Sequence, residues 1–247
     1  MSGHSKWANI KRKKAKVDAV KGTVFSRLTK EIMAAAKRGG GNPDTNFKLR
    51  LAIDKAKANN LPATNIERAI RRATGQEAGV NYEEAVYEGY GPAGTAVYLD
   101  ILTDNRNRTA GEIRHIFSRH GGSLGESGCV AWMFEPKGRI VIAADGRAEE
   151  ELLDIAIEAG ADDLSREGDE MVVLTSPEML EPVRQVFEEK GIAVDEAELV
   201  RIAKTTVSVA GHEAEQLLEL LDLLEEHDDV QHVYSNADLP DELYDEG

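Results

Sequence analysis

The spacing of apolar residues changes from a helical to a strand pattern near Gly79, so the two parts of the chain must fold differently. Before this point apolar side chains recur every three or four residues, as on the buried face of a helix. In the first helix they are Val17, Val20, Val24, Leu28, Ile32 and Ala35. Three packed helices are predicted, which end at 39–41, at Asn59 and near Gly75. The second opens at Asn42-Pro43-Asp44, and the third opens at the capping-box sequence Thr64-Asn65-Ile66-Glu67.

After Gly79 short strands alternate with helices. The predicted strands are 85–90, 95–103, one in which Val130, Trp132 and Phe134 alternate, 140–143, 171–175, 198–202, 206–209 and 230–234. The predicted helices are one that begins at the capping-box sequence Thr109-Ala110-Gly111-Glu112, and 149–159, 177–190 and 213–226, with a turn at 136–138. Short connections favour split β-α-β modules over one large parallel sheet. The sequence therefore predicts the α+β class: an N-terminal three-helix domain followed by two ferredoxin-like α/β domains.

Charge is segregated along the chain in the same way. Residues 1–72 contain 18 Lys and Arg against 5 Asp and Glu, a net charge of +13, whereas the remainder carries −28. A basic segment of this density is typical of proteins that bind nucleic acid or an anionic membrane. The membrane is disfavoured because the N-terminal arm has few large apolar residues. The acidic remainder would face away from a polyanion or pack on the basic segment of its own chain.

Two sets of residues are predicted to bind nucleic acid. Lys and Arg side chains displace counterions from a phosphate backbone, and an exposed tryptophan can stack on a base. The first set is Lys6, Trp7, Lys11, Arg12, Lys13, Lys14, Lys16, Lys21, Arg27, Lys30, Arg68, Arg71 and Arg72. Trp7 could instead dock on the helical core.

The second set is centred on the run Asp104-Asn105-Arg106-Asn107-Arg108-Thr109, which is predicted to join a strand to a helix. Arg106, Arg108 and Arg114, together with the N–H groups of the first helical turn, could bind phosphate. Alternatively, these arginines pair with acids such as Glu88 and Glu126.

Several classes of protein are disfavoured. No apolar run is long enough to span a bilayer, and the N-terminus lacks a secretory pattern, so we expect a cytoplasmic protein. The single cysteine, Cys129, is expected in the core and excludes a cysteine-based metal site. No nucleotide-binding loop, metalloprotease or serine-hydrolase motif is present. We therefore expect a protein that is not an enzyme and has no cofactor or metal, while its oligomeric state stays open.

Four segments resemble the YebC/PmpR family. They are Gly3-His4-Ser5-Lys6-Trp7-Ala8, Tyr87-Glu88-Gly89-Tyr90-Gly91-Pro92, the run from Asp104 to Thr109, and Gly121-Gly122. The resemblance implies a DNA-binding transcriptional regulator, with a relative in mitochondria that activates translation of cytochrome c oxidase and bacterial relatives linked to the ribosome. It also implies a discontinuous middle domain, for which we expect residues 80–136 plus 205–247, between a basic helical domain at 1–79 and an inserted domain at 137–204.

Three functions stay open at this level. The chain could be a DNA-binding transcriptional regulator, whose third helix would read bases with Asn65, Arg68, Arg71 and Arg72. It could be a translation factor that binds ribosomal RNA, because backbone contacts do not distinguish DNA from RNA. It could also be an acidic module that binds a protein through its C-terminal part.

Overall fold

The computed structural model describes residues 21–75, 81–143, 146–167 and 170–240. The helices in these ranges are α1 (Lys21–Gly39), α2 (Phe47–Ala58), α3 (Ala63–Ala73), α4 (Arg106–Arg119), α5 (Glu149–Ala159), α6 (Leu180–Glu189) and α7 (Gly211–Glu226). The strands are β1 (Glu83–Tyr90), β2 (Ala96–Thr103), β3 (Ser123–Leu124), β4 (Phe134–Ile142), β5 (Asp163–Glu167), β6 (Glu170–Thr175), β7 (Val194–Ala203), β8 (Val207–Ser208), β9 (Val230–Ser235) and β10 (Ala237–Asp238). The fold belongs to the α+β class, with N-terminal helices followed by two units that each contain a sheet.

Helices α1, α2 and α3 share one apolar core. Leu28 and Ile32 of α1 pack with Leu49 of α2 and with Ile66 and Ala69 of α3. These side chains come from the three-and-four spacing read in the sequence, so the helical prediction for this part is confirmed. The buried Asn46 begins α2, since its side-chain oxygen accepts the N–H of Leu49 while its amide donates to the Ala35 carbonyl of α1.

The first sheet has the strand order β3-β1-β2-β9, and all of its pairings are antiparallel. Helices α4 and α7 cover one face, where Leu99 of β2 packs with Phe117 of α4 and Leu217 of α7. The outer strand β9 arrives from more than a hundred residues further along the chain to pair with β2.

The second sheet has the order β5-β6-β4-β7 and is also antiparallel. Helices α5 and α6 cover it, with Ile140, Leu152 and Phe187 in the core between them. This unit follows the β-α-β-β-α-β order of the split β-α-β motif. The first unit also has two helices packed on one face of its sheet. It differs in that β1 and β2 follow each other along the chain with no α-helix between them.

A smaller apolar cluster joins the two sheets. Tyr98 of β2 packs with Phe134 at the start of β4 and with Ala203 at the end of β7. Strand β4 crosses the predicted domain boundary at 136/137. The three-domain division stays a prediction, and the separate cores of the helices and the two sheets support it.

The structure corrects four of the local predictions. Thr64 lies inside α3, whose N-cap position is Pro62, and the helix predicted from Thr109 begins at Arg106 with Asn105 as its cap. The expected strand around Trp132 is a short 3₁₀ turn, which leaves that indole 65% exposed. The turn predicted at 136–138 lies within β4. Each error arises because a local signal competes with packing that involves distant residues.

Two further expectations were tested. Cys129 is half-buried rather than fully in the core. Within the described ranges, no helix combines the length and apolar character needed to cross a bilayer.

Candidate nucleic-acid interface

Helix α3 presents arginines to solvent. Arg68, Arg71 and Arg72 are exposed, whereas Ile66 and Ala69 face the core. Arg71 and Arg72 lie in the last turn of α3, where cations complement the negative end of the helix dipole. Arg71 lies 4.0 Å from Glu67 one turn earlier, a contact between exposed groups that contributes little to stability.

The C-terminal end of α1 lies beside these arginines. Lys37 of α1 and Arg72 of α3 line one cavity of about 130 Å³, together with Asn81 and Tyr82. Lys37 also donates a hydrogen bond to the Asn81 side chain. The cations of α1 and α3 therefore lie on one continuous surface.

The same surface continues to α4 at the start of β1. Arg38 of α1 lies 2.5 Å from the carboxylate of Glu84. Glu83, which precedes Glu84 on β1, has its carboxylate 3.3 Å from Arg106 Nε of α4. Arg106 Nη2 also donates to the Glu84 carbonyl at 2.8 Å. These ion pairs are about half exposed, so phosphate oxygens can compete for the guanidinium groups.

Arg114 extends this surface along α4. Burial raises the pKa of the Tyr87 phenol, while the nearby guanidinium groups of Arg106 and Arg114 act in the opposite direction. The Tyr87 hydroxyl donates to the Arg106 carbonyl at 2.9 Å. Arg106 and Arg114, which are both exposed, therefore lie near the same phenol.

We call this region the basic surface, and it consists of Lys37, Arg38, Arg68, Arg71, Arg72, Arg106 and Arg114. Within the described residues, Arg38, Arg71 and Arg106 of this surface pair with the carboxylates of Glu84, Glu67 and Glu83. Sequence reasoning missed Lys37 and Arg38. Both occupy the last turn of α1 just before the glycine run, a position where cations are favoured and exposed.

Two residues of α1 that were predicted to bind nucleic acid make contacts inside the molecule instead. Lys30 is 8% exposed and ion-paired with Asp229 at 2.8 Å, so it cannot also reach a phosphate chain. Arg27 donates to the His227 carbonyl at 3.1 Å, and burial lowers its pKa against the opposing effect of nearby acids. The prediction for Lys30 is wrong, and Arg27 is likewise used inside the molecule.

Arg108 is surrounded by acids. Its guanidinium binds Asp229 and lies 3.1 Å from Asp104 and 3.8 Å from Glu112. The alternative expected from the sequence, that these arginines pair with acids, is confirmed for Arg108, but with other partners. Glu88 instead accepts backbone N–H bonds from residues 128, 130 and 131.

Cations of α2 dock the helices on the acidic part of the chain. Arg50 lies 3.0 Å from Glu181 of α6, and Lys55 lies 3.6 Å from Glu198 of β7 and 3.7 Å from Glu31 of α1. Burial disfavours the charged form of Lys55, but the surrounding carboxylates stabilise that form more strongly. The pKa of Lys55 is therefore raised. Part of the segregated charge therefore holds the chain together.

Glu112, His227 and Asp229 converge closely enough to suggest a metal site. However, His227 accepts the Asp229 N–H at Nδ1 and contacts Glu112 through Nε2 at 3.0 Å. The Asp229 oxygens already bind Lys30 and Arg108. Two adjacent cations would repel a metal ion, so this cluster does not fit one.

The predicted arm lies outside the described residues. This applies to Lys6, Trp7, Lys11, Arg12, Lys13, Lys14 and Lys16. Lys21 is the first residue of α1, and its side chain is likewise not described.

Comparison with known proteins identifies the family. Residues 5–76 match the family model described as the TACO1/YebC protein N-terminal domain, and residues 82–237 match the TACO1/YebC second and third domain. The chain belongs to the TACO1/YebC family. The resemblance read from the four sequence segments is thereby confirmed.

Family members of similar length come from several bacteria. A protein of Dictyoglomus thermophilum is 55% identical over 244 residues, covering 98% of both chains, and one of Pelotomaculum thermopropionicum is 56% identical over 243 residues, covering 98% of this chain and all of its own. Both are named "Probable transcriptional regulatory protein". The crystal structure of a conserved hypothetical protein from Aquifex aeolicus is similar, with a TM-score of 0.84 and 46% identity over 92% of this chain and 93% of that one.

Proposed function

We propose that this protein regulates gene expression by binding nucleic acid, without catalysis, and that the basic surface contacts the phosphate backbone. The observation that carries the proposal is the meeting of cations from α1, α3 and α4. Lys37 and Arg72 line one cavity, and Arg38 and Arg106 meet at Glu83 and Glu84. Cations brought together from distant parts of an acidic chain favour a polyanionic ligand.

DNA is the first candidate ligand. The relatives that match over nearly their whole length carry names of probable transcriptional regulators, which favours a role at promoters for this chain too. In this proposal the arginines of α3 bind duplex phosphates and the predicted arm adds further contacts.

Ribosomal RNA is the second candidate, and the position of the cations on α3 favours it. A helix-turn-helix protein reads bases with the N-terminal residues of its recognition helix. In α3 that end carries Ala63, Thr64 and a half-buried Asn65, while Arg71 and Arg72 occupy the last turn. This arrangement suits backbone contact, including contact with an irregular RNA chain, better than base reading.

A charge-neutralising variant tests the proposal. Arg68, Arg71 and Arg72 are changed together to Gln in the full chain, and affinity for a short DNA duplex and a short RNA is measured across salt concentrations. We expect weaker binding to every sequence. The plot of log K against log salt should become less steep, by about 2.7 for duplex DNA and about 2 for a single strand. The reason is that fewer phosphate contacts form, so binding releases fewer counterions.

The matched control changes three exposed cations of the inserted unit, Arg166, Lys190 and Lys204, to Gln. It alters the net charge by the same amount but leaves the basic surface intact. Equal losses in the two variants would show that only net charge matters and would refute the proposed surface.

A second variant tests the predicted arm. Changing Lys11, Arg12, Lys13 and Lys14 to Gln should lower both affinity and salt slope, for the same electrostatic reason. Unchanged values would remove the arm from the proposal.

Crosslinking in cells separates the two ligands. Sequencing of both DNA and RNA bound to the crosslinked protein should give promoter fragments for a transcriptional regulator and ribosomal RNA for a translation factor. Recovery of neither above the level of the arginine variant would contradict nucleic-acid binding.

A further inference from the structure

The short segment from His227 to Asp229, between α7 and β9, accepts hydrogen bonds from side chains of α1 and of α4. From α1, Arg27 Nη2 donates to the His227 carbonyl at 3.1 Å, and Lys30 Nζ donates to the Asp228 carbonyl at 3.0 Å. The segment is therefore the place where α1 docks on the first sheet unit.

The Asp229 carboxylate makes this docking ionic. One oxygen binds Lys30 Nζ at 2.8 Å. The other accepts from Arg108 and from the hydroxyls of Thr109, at 2.8 Å, and Thr103, at 3.2 Å. Asp229 is 3% exposed, so its charge depends on these partners.

The two cations that Asp229 binds belong to α1 and α4, two of the three helices that carry the basic surface. Lys30 precedes Lys37 by seven residues on α1, about 10 Å along the helix. Arg108 precedes Arg114 by six residues on α4, about 9 Å along that helix. A shift at Asp229 would therefore move the two halves of the basic surface relative to each other.

We infer that Asp229 is a positioning residue, which holds the α1 and α4 halves of the basic surface in the arrangement that lets one nucleic-acid chain contact both. The inference rests on the proposed function for the ligand. The placement of the two helices by Asp229 can be measured without any ligand.

The matched control is Glu88. It is also a buried carboxylate, at 3% exposure, but it accepts backbone N–H bonds at 2.6–2.8 Å from residues 128, 130 and 131 within its own unit. Glu88→Gln removes a comparable buried charge and leaves the docking of α1 untouched.

The first measurement is a binding cycle in the full chain. In the native background, Arg114→Gln should weaken binding to a short DNA duplex and lower the salt slope by about 0.9. Asp229→Asn should weaken binding about tenfold, because two linked contacts become independent. When Arg114→Gln is added to Asp229→Asn, it should change neither affinity nor salt slope. When it is added to Glu88→Gln, it should weaken binding as much as in the native chain. Equal effects of Arg114→Gln in the native and Asp229→Asn backgrounds would overturn the inference.

The second measurement, made without nucleic acid, is the distance between α4 and the helical core that α2 shares with α1. Spin labels are placed at Lys57→Cys on α2 and Ser118→Cys on α4, both exposed positions, with Cys129→Ser to remove the native thiol. We expect one narrow distance distribution in the parent chain and with Glu88→Gln, and a broad one with Asp229→Asn. A narrow distribution in all three would overturn the positioning role even if nucleic acid binds.

Lys30→Met provides a second route if Asp229→Asn fails to fold. It removes the α1 partner of the ion pair and leaves Arg108 on Asp229. It should give the same broad distribution and the same loss of the Arg114 effect. A native distribution in this variant would contradict the inference. Absence of binding by the native chain, with a broadened distribution in Asp229→Asn, would reject the proposed function alone.

Discussion

Replacing Asp229 with Asn should cost more stability at neutral pH than at acid pH. The substitution leaves the buried Lys30 without its ion-pair partner and removes one of the three carboxylates around Arg108. Breaking a buried ion pair by removing one partner costs about 3–5 kcal/mol. We expect a loss of this size in the free energy of unfolding at pH 7.

The pH dependence follows from the carboxyl group itself. Burial opposes the charged form, but hydrogen bonds from Lys30, Arg108 and Thr109 outweigh it and lower the pKa of Asp229 from 3.8 to about 2. A lowered pKa in the folded state stabilises the protein above the unfolded-state value. This difference corresponds to about 2.5 kcal/mol, fully present above about pH 5 and lost as pH falls through about 2.

Urea unfolding of the native chain and of Asp229→Asn between pH 7 and pH 3 measures the effect. The difference between their unfolding free energies should shrink by about 1 kcal/mol by pH 3, because much of the unfolded population is then protonated at this position. Glu151→Gln, which removes an exposed partner of Arg147, should cost less than about 0.5 kcal/mol at pH 7. A difference between the native chain and Asp229→Asn that stays constant over the whole range would refute the argument.

Three further predictions concern local structure. Asn105→Ala should lower the unfolding free energy by about 1 kcal/mol, because the Asn105 side chain caps α4. Thr64→Ala should change it by less than about 0.5 kcal/mol, and equal costs of the two changes in urea unfolding would contradict the assigned caps. Phe134→Ala should cost about 3–5 kcal/mol because this ring is buried, and Trp132→Ala less than about 0.5 kcal/mol; the reverse order of melting temperatures would show that the indole is the packed group. Burial and, to a smaller extent, a neighbouring carboxylate raise the pKa of the Cys129 thiol, so alkylation at pH 8 should be slower in the folded chain than in urea; equal rates would contradict this environment.

Much of the fold could be predicted because it depends on regular patterns. The three-and-four spacing of Leu28, Ile32 and Leu49 identified the helical core, and runs of β-forming residues identified most strands. Strands β3, β5 and β10 were missed, since they are short or carry polar residues. The caps of α3 and α4 were misplaced because a Ser/Thr-x-x-Glu sequence also occurs inside helices. Thr109 in particular is drawn into the core, where it binds Asp229.

The candidate site could be predicted only in part. The exposure of Arg68, Arg71 and Arg72 could be predicted from the sequence, since an amphipathic helix places its cations opposite its apolar face. Lys30 was assigned wrongly because its partner lies 199 residues away, and a charge count cannot distinguish a buried pair from a free cation.

The sequence by itself determined the family, the α+β class and the separation of charge, because these depend on composition and on the order of residues along the chain. Only the tertiary structure decided which cations face solvent and which hold the molecule together. Coulombic pairing depends on distances between side chains, and folding sets those distances by bringing Lys30 and Arg108 to the same carboxylate.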